Sequence, residues 1–169
     1  MESLETDRLI LRHMNDGDAG FLLQLLNEPS FIQNIGDRNV RSLDGARAYI
    51  LNGAMESYAR HGFGLYLVTC RTTGESMGMC GLIKRDTLED VDIGYAFLPK
   101  FWSKGFAVES ALAVKQFARE RIGLQRIVAI TDPRNLPSNR VLEKIGMKFE
   151  KMVRLGEDDI ELKLFSLDL

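Results

Sequence analysis

Phe101-Trp102-Ser103-Lys104-Gly105-Phe106-Ala107 is the segment whose residue types best suit the holding of an anion. It falls between a run that reads as a strand and one that reads as a helix. Such a junction offers unpaired backbone N–H groups and the positive end of a helix dipole. Gly105 lets the backbone approach a phosphate, and Ser103 and Ala107 are small enough not to block it; Lys104 either adds charge or extends into water. On spacing alone, a junction with one glycine is more often just a turn. It also lacks the Gly-Lys-Ser/Thr ending of a P-loop, which argues against a nucleoside triphosphate site. A second polar segment, Asn135-Leu136-Pro137-Ser138-Asn139-Arg140, opens a helix. Asn135 suits an N-cap and Ser138 a first-turn residue bonded to the backbone, and both roles are satisfied without any function.

The remaining chemistry-bearing residues exclude more than they suggest. Cys70 and Cys80 each stand alone in an apolar stretch with no CxxC pair or His-rich neighbourhood, so neither a disulfide framework nor a zinc site is expected, and no metal is assigned. Both thiols are expected to be buried and reduced. Neither has a neighbouring base or helix N-terminus to lower its pKa, which disfavours a covalent cysteine intermediate. His13 and His61 are isolated and read as structural or exposed. A formal net charge of -2 withholds the usual footprint of a nucleic-acid binder. No apolar run approaches the ~18 residues of a membrane span. Glu2, Glu5 and Asp7 do not resemble a secretion signal, so a cytoplasmic location away from membranes is expected. With 169 residues, 45% hydrophobic and 27% charged, the chain is expected to fold as one domain over 1–169.

The elements that must position these segments follow from periodicity. Asp7 to His13 alternates like a half-exposed strand. Asp16 or Asp18 caps a helix carrying Phe21, Leu22, Leu25 and Leu26, which Pro29 stops; Ser42 caps a second that ends at Gly62. Three apolar segments, 64–70, 75–84 and 89–98, read as an antiparallel meander. Ala107 to Ile122 carries a wide apolar stripe and stops at Gly123. A β-branched strand spans Arg126 to Thr131, Pro137 sits in the first turn of a short helix ending at Gly146, and Met147–Val153 and Ile160–Leu167 close the chain as strands across a turn at 156–159. This order makes an α/β sheet of six to seven strands, mixed but largely antiparallel, with helices on both faces.

The order of these features resembles the GNAT superfamily of acyl-CoA-dependent N-acetyltransferases, in particular its ribosomal-protein N-terminal acetyltransferase branch, over nearly the whole chain. Leu4 to Arg12 looks like that branch's first strand. Ile93-Gly94-Tyr95 followed by Pro99 to Ala111 looks like its coenzyme motif, and Asn135 to Met147 looks like its Asn-x-x-Ser helix. Trp102 stands where the wider family has Arg or Gln, as is common in this branch, and Ser103 stands where Gly is usual.

The resemblance implies a splayed cleft between the fourth and fifth strands, with acetyl-CoA as cosubstrate. Phe97 and Leu98 would pair with its pantetheine, and Ser103, Lys104, Gly105, Phe106 and Ala107 would cradle its pyrophosphate. Asn135 would anchor the coenzyme or orient the acceptor. Asp92 would take the proton of the incoming ammonium, unless a water chain does so and Asp92 is a solvated edge carboxylate. Asp90 would share its strand face. Ser138 would stabilise or protonate the leaving thiolate, unless it only caps its helix. The acceptor would be a primary amine, either a protein N-terminus or a small molecule. Glu89, Asp90 and Asp92 with Glu157, Asp158 and Asp159 hint at a cationic one. The protein would act as a monomer or homodimer. The rival reading is a non-catalytic acyl-CoA-binding module.

Overall fold

The structure, a computed structural model of the chain, describes residues 3–156 and 160–169. Its strands are β1 (Leu4–Glu5), β2 (Leu9–Arg12), β3 (Leu65–Cys70), β4 (Ser76–Ile83), β5 (Asp92–Phe97), β6 (Arg126–Thr131), β7 (Lys148–Val153) and β8 (Leu162–Asp168). They form one sheet in the order β1-β2-β3-β4-β5-β6-β8-β7. Neighbours run antiparallel except β5 and β6, which are parallel and share a single register pair, Asp92 with Val128. The sheet thus has eight strands rather than six or seven. The extra one is β1, which precedes the expected Asp7–His13 strand and pairs with β2 across a turn at Asp7 and Arg8.

Between β2 and β3 lie α1 (Ala19–Leu26), α2 (Pro29–Asn34), α3 (Leu43–Ile50) and α4 (Glu56–His61), with a π-helical turn, Leu51–Met55, joining the last two. Ser42 caps α3 by accepting the Gly45 N–H, and Gly62 ends α4 at φ +76°. Two expectations are corrected here. Pro29 does not merely stop α1; it starts α2, since the extended Glu28 before it and its own fixed φ suit a first helical position. Asp18 stands at the N-cap position of α1, but its side chain makes no cap bond to that helix. Instead Asn15 caps a short 3-10 turn, and the Asp18 carboxylate accepts from the Asn15 N–H and is held by the Arg12 guanidinium at 2.8 Å.

The helix α5 (Phe106–Phe117) continues through a π-helical turn, Ala118–Ile122, and stops at Gly123; α6 (Leu136–Lys144) follows β6. Strand alternation divides the core between two faces. Tyr66, Val68, Cys80, Ile93, Phe97, Ile127 and Ala129 meet Ala111, Val114 and Leu142 of α5 and α6. Leu65, Leu67, Met79 and Ala96 meet Leu22, Leu26, Ala46 and Ile50 of α1 and α3. At the centre β4 is pressed between its neighbours. A Cβ at Gly81 would collide with the Gly64 carbonyl, and one at Gly78 with that of Ala96. Among the described residues no helix is long and apolar enough to cross a membrane.

Candidate active site

A cleft of about 1950 Å³ opens where β5 and β6 part, and its walls include Asp92, Tyr95, Phe97, Ser103, Gly105, Phe106, Ala107, Asn135 and Ser138. The register explains the parting. The Val128 N–H donates to the Val91 carbonyl at 3.0 Å, and beyond the Asp92–Val128 pair β6 diverges. On the other side of β5, the Leu98 N–H donates to the Met77 carbonyl at 3.0 Å. Two-residue alternation then turns the backbone groups of Asp92, Gly94, Ala96 and Leu98 toward β4, and those of Tyr95 and Phe97 into the gap. The Leu98 carbonyl accepts from the Phe101 N–H at 3.0 Å, so both of its polar groups are committed within the chain. The gap-facing residues are therefore Tyr95 and Phe97 rather than Phe97 and Leu98. Of these groups, the Phe97 carbonyl already accepts the Trp102 indole N–H at 2.9 Å.

The loop before α5 has two residues in the left-handed region, Ser103 at φ +60° and Gly105 at φ +83°. They flank Lys104, and this alternation curls successive amides toward one side. No side chain caps α5, whose first helical bond runs from the Glu109 N–H to the Gly105 carbonyl. The N–H groups of Phe106, Ala107 and Val108 are thus left without intrahelical acceptors at the positive end of a 12-residue helix. The Lys104 ammonium donates to the Lys100 carbonyl at 3.1 Å on the exposed side of the loop.

On the facing wall, Asn135 caps α6 by accepting the Ser138 N–H at 3.3 Å. The Ser138 hydroxyl lies 2.8 Å from the Tyr95 phenol oxygen, and that phenol also donates to the Ser138 carbonyl at 3.0 Å. Burial pushes the Tyr95 phenol well above its ordinary range, so it stays protonated. Tyr95 was not among the expected site residues, although the strand alternation that points Ile93 and Phe97 toward α5 and α6 also aims Tyr95 at Ser138.

Asp92 leaves β5 on the opposite face, toward α1 and α3. It is 1% exposed, which excludes a solvated edge carboxylate. Burial raises its pKa above the ordinary aspartate value, and the Arg85 guanidinium, 3.0 Å away, only partly offsets this. Asp90 is bound instead by Arg126 at 3.1 Å, and the carbonyl of Glu89 accepts from the Lys84 ammonium at 2.8 Å. The carboxylates of Asp90 and Asp92 are therefore each paired with an arginine, whereas Glu89 is held only through its backbone carbonyl. Glu157, Asp158 and Asp159 lie outside the described residues.

The two thiols differ from each other. Cys80 is buried, whereas Cys70 is half-exposed at the end of β3 and lines no part of the cleft. Hydrogen bonds from Thr72 and Thr73 draw Cys70 down to about 7, so it is neither buried nor of ordinary acidity. His13 stacks on Tyr58, with ring centroids 3.5 Å apart, and His61 on Phe63. Among the described residues no cluster of His, Cys, Asp and Glu could hold a metal ion.

Known proteins are similar to this chain in sequence and in fold. The chain is 31% identical to YkkB of Bacillus subtilis over 154 residues, which covers 89% of this chain and 88% of that protein. It is 32% identical to the uncharacterized N-acetyltransferase YoaA of the same organism over 152 residues, 89% of this chain and 85% of the relative. An acetyltransferase structure from Agrobacterium tumefaciens superposes with a TM-score of 0.86 at 20% identity, covering 100% of this chain and 95% of that one. RimL, a ribosomal L7/L12 α-N-protein acetyltransferase in complex with coenzyme A, does so at 0.85 and 20% identity, covering 99% and 98%. The family model described as acetyltransferase (GNAT) domain matches residues 8–148. With its sheet parted between β5 and β6 and its relatives similar along most of their length, this chain belongs to the GNAT family of acetyltransferases.

Proposed function

We propose that the protein moves the acetyl group of acetyl-CoA directly to a primary amine bound in the same cleft, either a protein N-terminus or a small molecule. The observation that carries this reading is the meeting of a parted parallel strand pair with the uncapped N-terminus of α5. The gap-facing backbone groups of Tyr95 and the N–H of Phe97, whose carbonyl is engaged by Trp102, offer an edge to which the amides of pantetheine can add as a strand would. The amides of Gly105 to Val108 and the dipole of α5 receive the pyrophosphate. That the solved structure of RimL holds coenzyme A on the same fold is consistent with this placement.

The acceptor approaches from the Asp92 face. Asp92 takes a proton from the ammonium, the freed amine adds to the thioester carbonyl, and the tetrahedral intermediate collapses to the amide and a thiolate. Ser138, with the Tyr95 phenol behind it, donates a hydrogen bond or proton to that thiolate. Cys70 lies outside the cleft and Cys80 is held protonated by burial, which favours direct transfer over an acetyl-enzyme.

The test is an assay of purified protein with acetyl-CoA and a panel of amines that includes N-terminal peptides of ribosomal proteins, read by release of free thiol. Turnover on at least one amine is expected, with initial-rate patterns of a ternary complex. Tight coenzyme binding without turnover on any amine would instead identify a non-catalytic acyl-CoA-binding module.

A further inference from the structure

Behind the loop that precedes α5 sits a cluster the proposed chemistry does not use. Arg8, in the turn between β1 and β2, donates through Nη1 to the Lys104 carbonyl at 3.0 Å and through Nε to Glu109 Oε2 at 2.7 Å. Its backbone N–H reaches Glu109 Oε1 at 3.0 Å, and the Thr6 hydroxyl donates to the same oxygen at 2.6 Å. The guanidinium lies 4.3 Å from the centroid of the Phe106 ring, and a Cβ at Gly105 would stand 3.3 Å from its Nη2. One side chain therefore contacts Lys104 and Phe106 and leaves little room for a side chain at Gly105 between them.

Glu109 sits in the first turn of α5, beside the amides assigned to the pyrophosphate. Partial burial alone would raise its pKa, but hydrogen bonds from Thr6, the Arg8 N–H and the guanidinium outweigh burial and hold the carboxyl below its usual value. It is therefore ionised at neutral pH, and without a counter-charge it would repel a diphosphate.

We propose that Arg8 is a positioning residue for the coenzyme: it cancels the charge of Glu109 next to the pyrophosphate and tethers the Lys104 carbonyl so that the loop amides stay turned outward. The inference rests on the coenzyme placement proposed above. Both partners reach the surface, with side-chain exposures of 48% and 19%, and pairs with so exposed a member contribute little to stability. The effect belongs to coenzyme binding rather than to folding.

The experiment compares KM for acetyl-CoA with KM for S-acetylpantetheine, which lacks the pyrophosphate, in the full chain and in Arg8→Met, Arg8→Lys, Glu109→Gln and the Met/Gln double variant. In the unsubstituted protein, acetyl-CoA should be preferred at least about tenfold. Arg8→Met should raise KM for acetyl-CoA about tenfold and leave KM for S-acetylpantetheine and for the amine unchanged. The double variant should recover about threefold of that loss, because the bare carboxylate is gone, and the penalty of Arg8→Met should shrink at high salt. Arg8→Lys, which keeps the charge without the planar fork, should fall between. Equal KM values for the two donors in the unsubstituted protein would remove the loop from the coenzyme site and take the proposed placement with it. A preference that Arg8→Met and Arg8→Lys leave intact, a loss shared equally by both donors, or a double variant no better than Arg8→Met would overturn the role of Arg8 alone.

Discussion

A carboxyl withdrawn from water with one guanidinium beside it is costly to ionise, and Asp92 is in that position. If it accepts the ammonium proton, it must first be ionised, so turnover should rise with pH through its raised pKa and level off above. The same shift acts on stability with the opposite sense. Between the ordinary value of 3.8 and the raised one, the folded chain binds more protons at this site than the unfolded chain, so this contribution to stability falls as pH rises through that window. Asp92→Asn should abolish both dependences and slow turnover on the order of 10²-fold, with coenzyme affinity retained. A pH–rate profile with the same acidic limb in the variant would take the base role from Asp92. The thiols provide a second measurement. Cys70 at about 7 should be alkylated near neutral pH while Cys80, pushed up to about 12 by burial, stays unreacted until the chain unfolds. Acetyl transfer should survive that modification, and its loss would reopen an acetyl-enzyme route through Cys70. Resemblance to the family put forward Asp92 and Ser138 as candidates, but burial and the phenol partner of Ser138 are products of packing across the sheet. Nor could a run of acids before β5 reveal that Arg126 and Arg85 pair with Asp90 and Asp92.

At the scale of the element, the loop 102–105 carries a local cost. Ser103 adopts φ +60°, which disfavours a residue with a Cβ by about 1 kcal/mol, at the position where glycine is usual in the family. Ser103→Gly should stabilise the chain by up to that amount, a rise in Tm of roughly 2–4 °C, with coenzyme affinity unchanged or slightly better. Ser103→Val should do the reverse; a more stable valine variant would mean that the loop relaxes out of the left-handed region. The irregularity at Ser103 was legible from the resemblance to the family, where glycine is usual at this position. Other irregularities were not. The π-helical turns at Leu51–Met55 and Ala118–Ile122 widen a helix without breaking its apolar stripe, so periodicity passes through them. Pro29 carries the same fixed φ whether it ends one helix or begins the next, and only the three-dimensional path from α1 to α2 distinguishes the two. Strand β1 is hidden for a similar reason. Its two residues pair with β2 across a turn that the alternation of Leu9 and Leu11 does not mark.

For the molecule as a whole, the sheet consists of two halves, β1 to β5 and β6 to β8, joined in register only at Asp92 and Val128. Helices α5 and α6 hold the halves together on one face, where Ala111, Val114, Leu142 and Ile145 share a core with residues of both halves. A ligand that pairs with β5 in the gap would restore continuity on the β5 side, and its binding energy would add to the stability of the chain, by ~2.7 kcal/mol at a hundred times Kd. Amide hydrogen exchange reads this directly, because the register fixes which amides change. With saturating coenzyme A, the N–H groups of Tyr95 and Phe97, which face the gap, should gain protection together with those of Ala107 and Val108 at the start of α5. The Leu98 amide already donates to Met77 and should exchange slowly with or without ligand, as should Val128, whose N–H is held by Val91. A pattern in which Leu98 gains protection while Tyr95 does not would mean that the coenzyme reaches the far side of β5 and that the gap is not its channel. Slower exchange spread evenly over both halves would show only global stabilisation by mass action, with no strand-like pairing in the cleft.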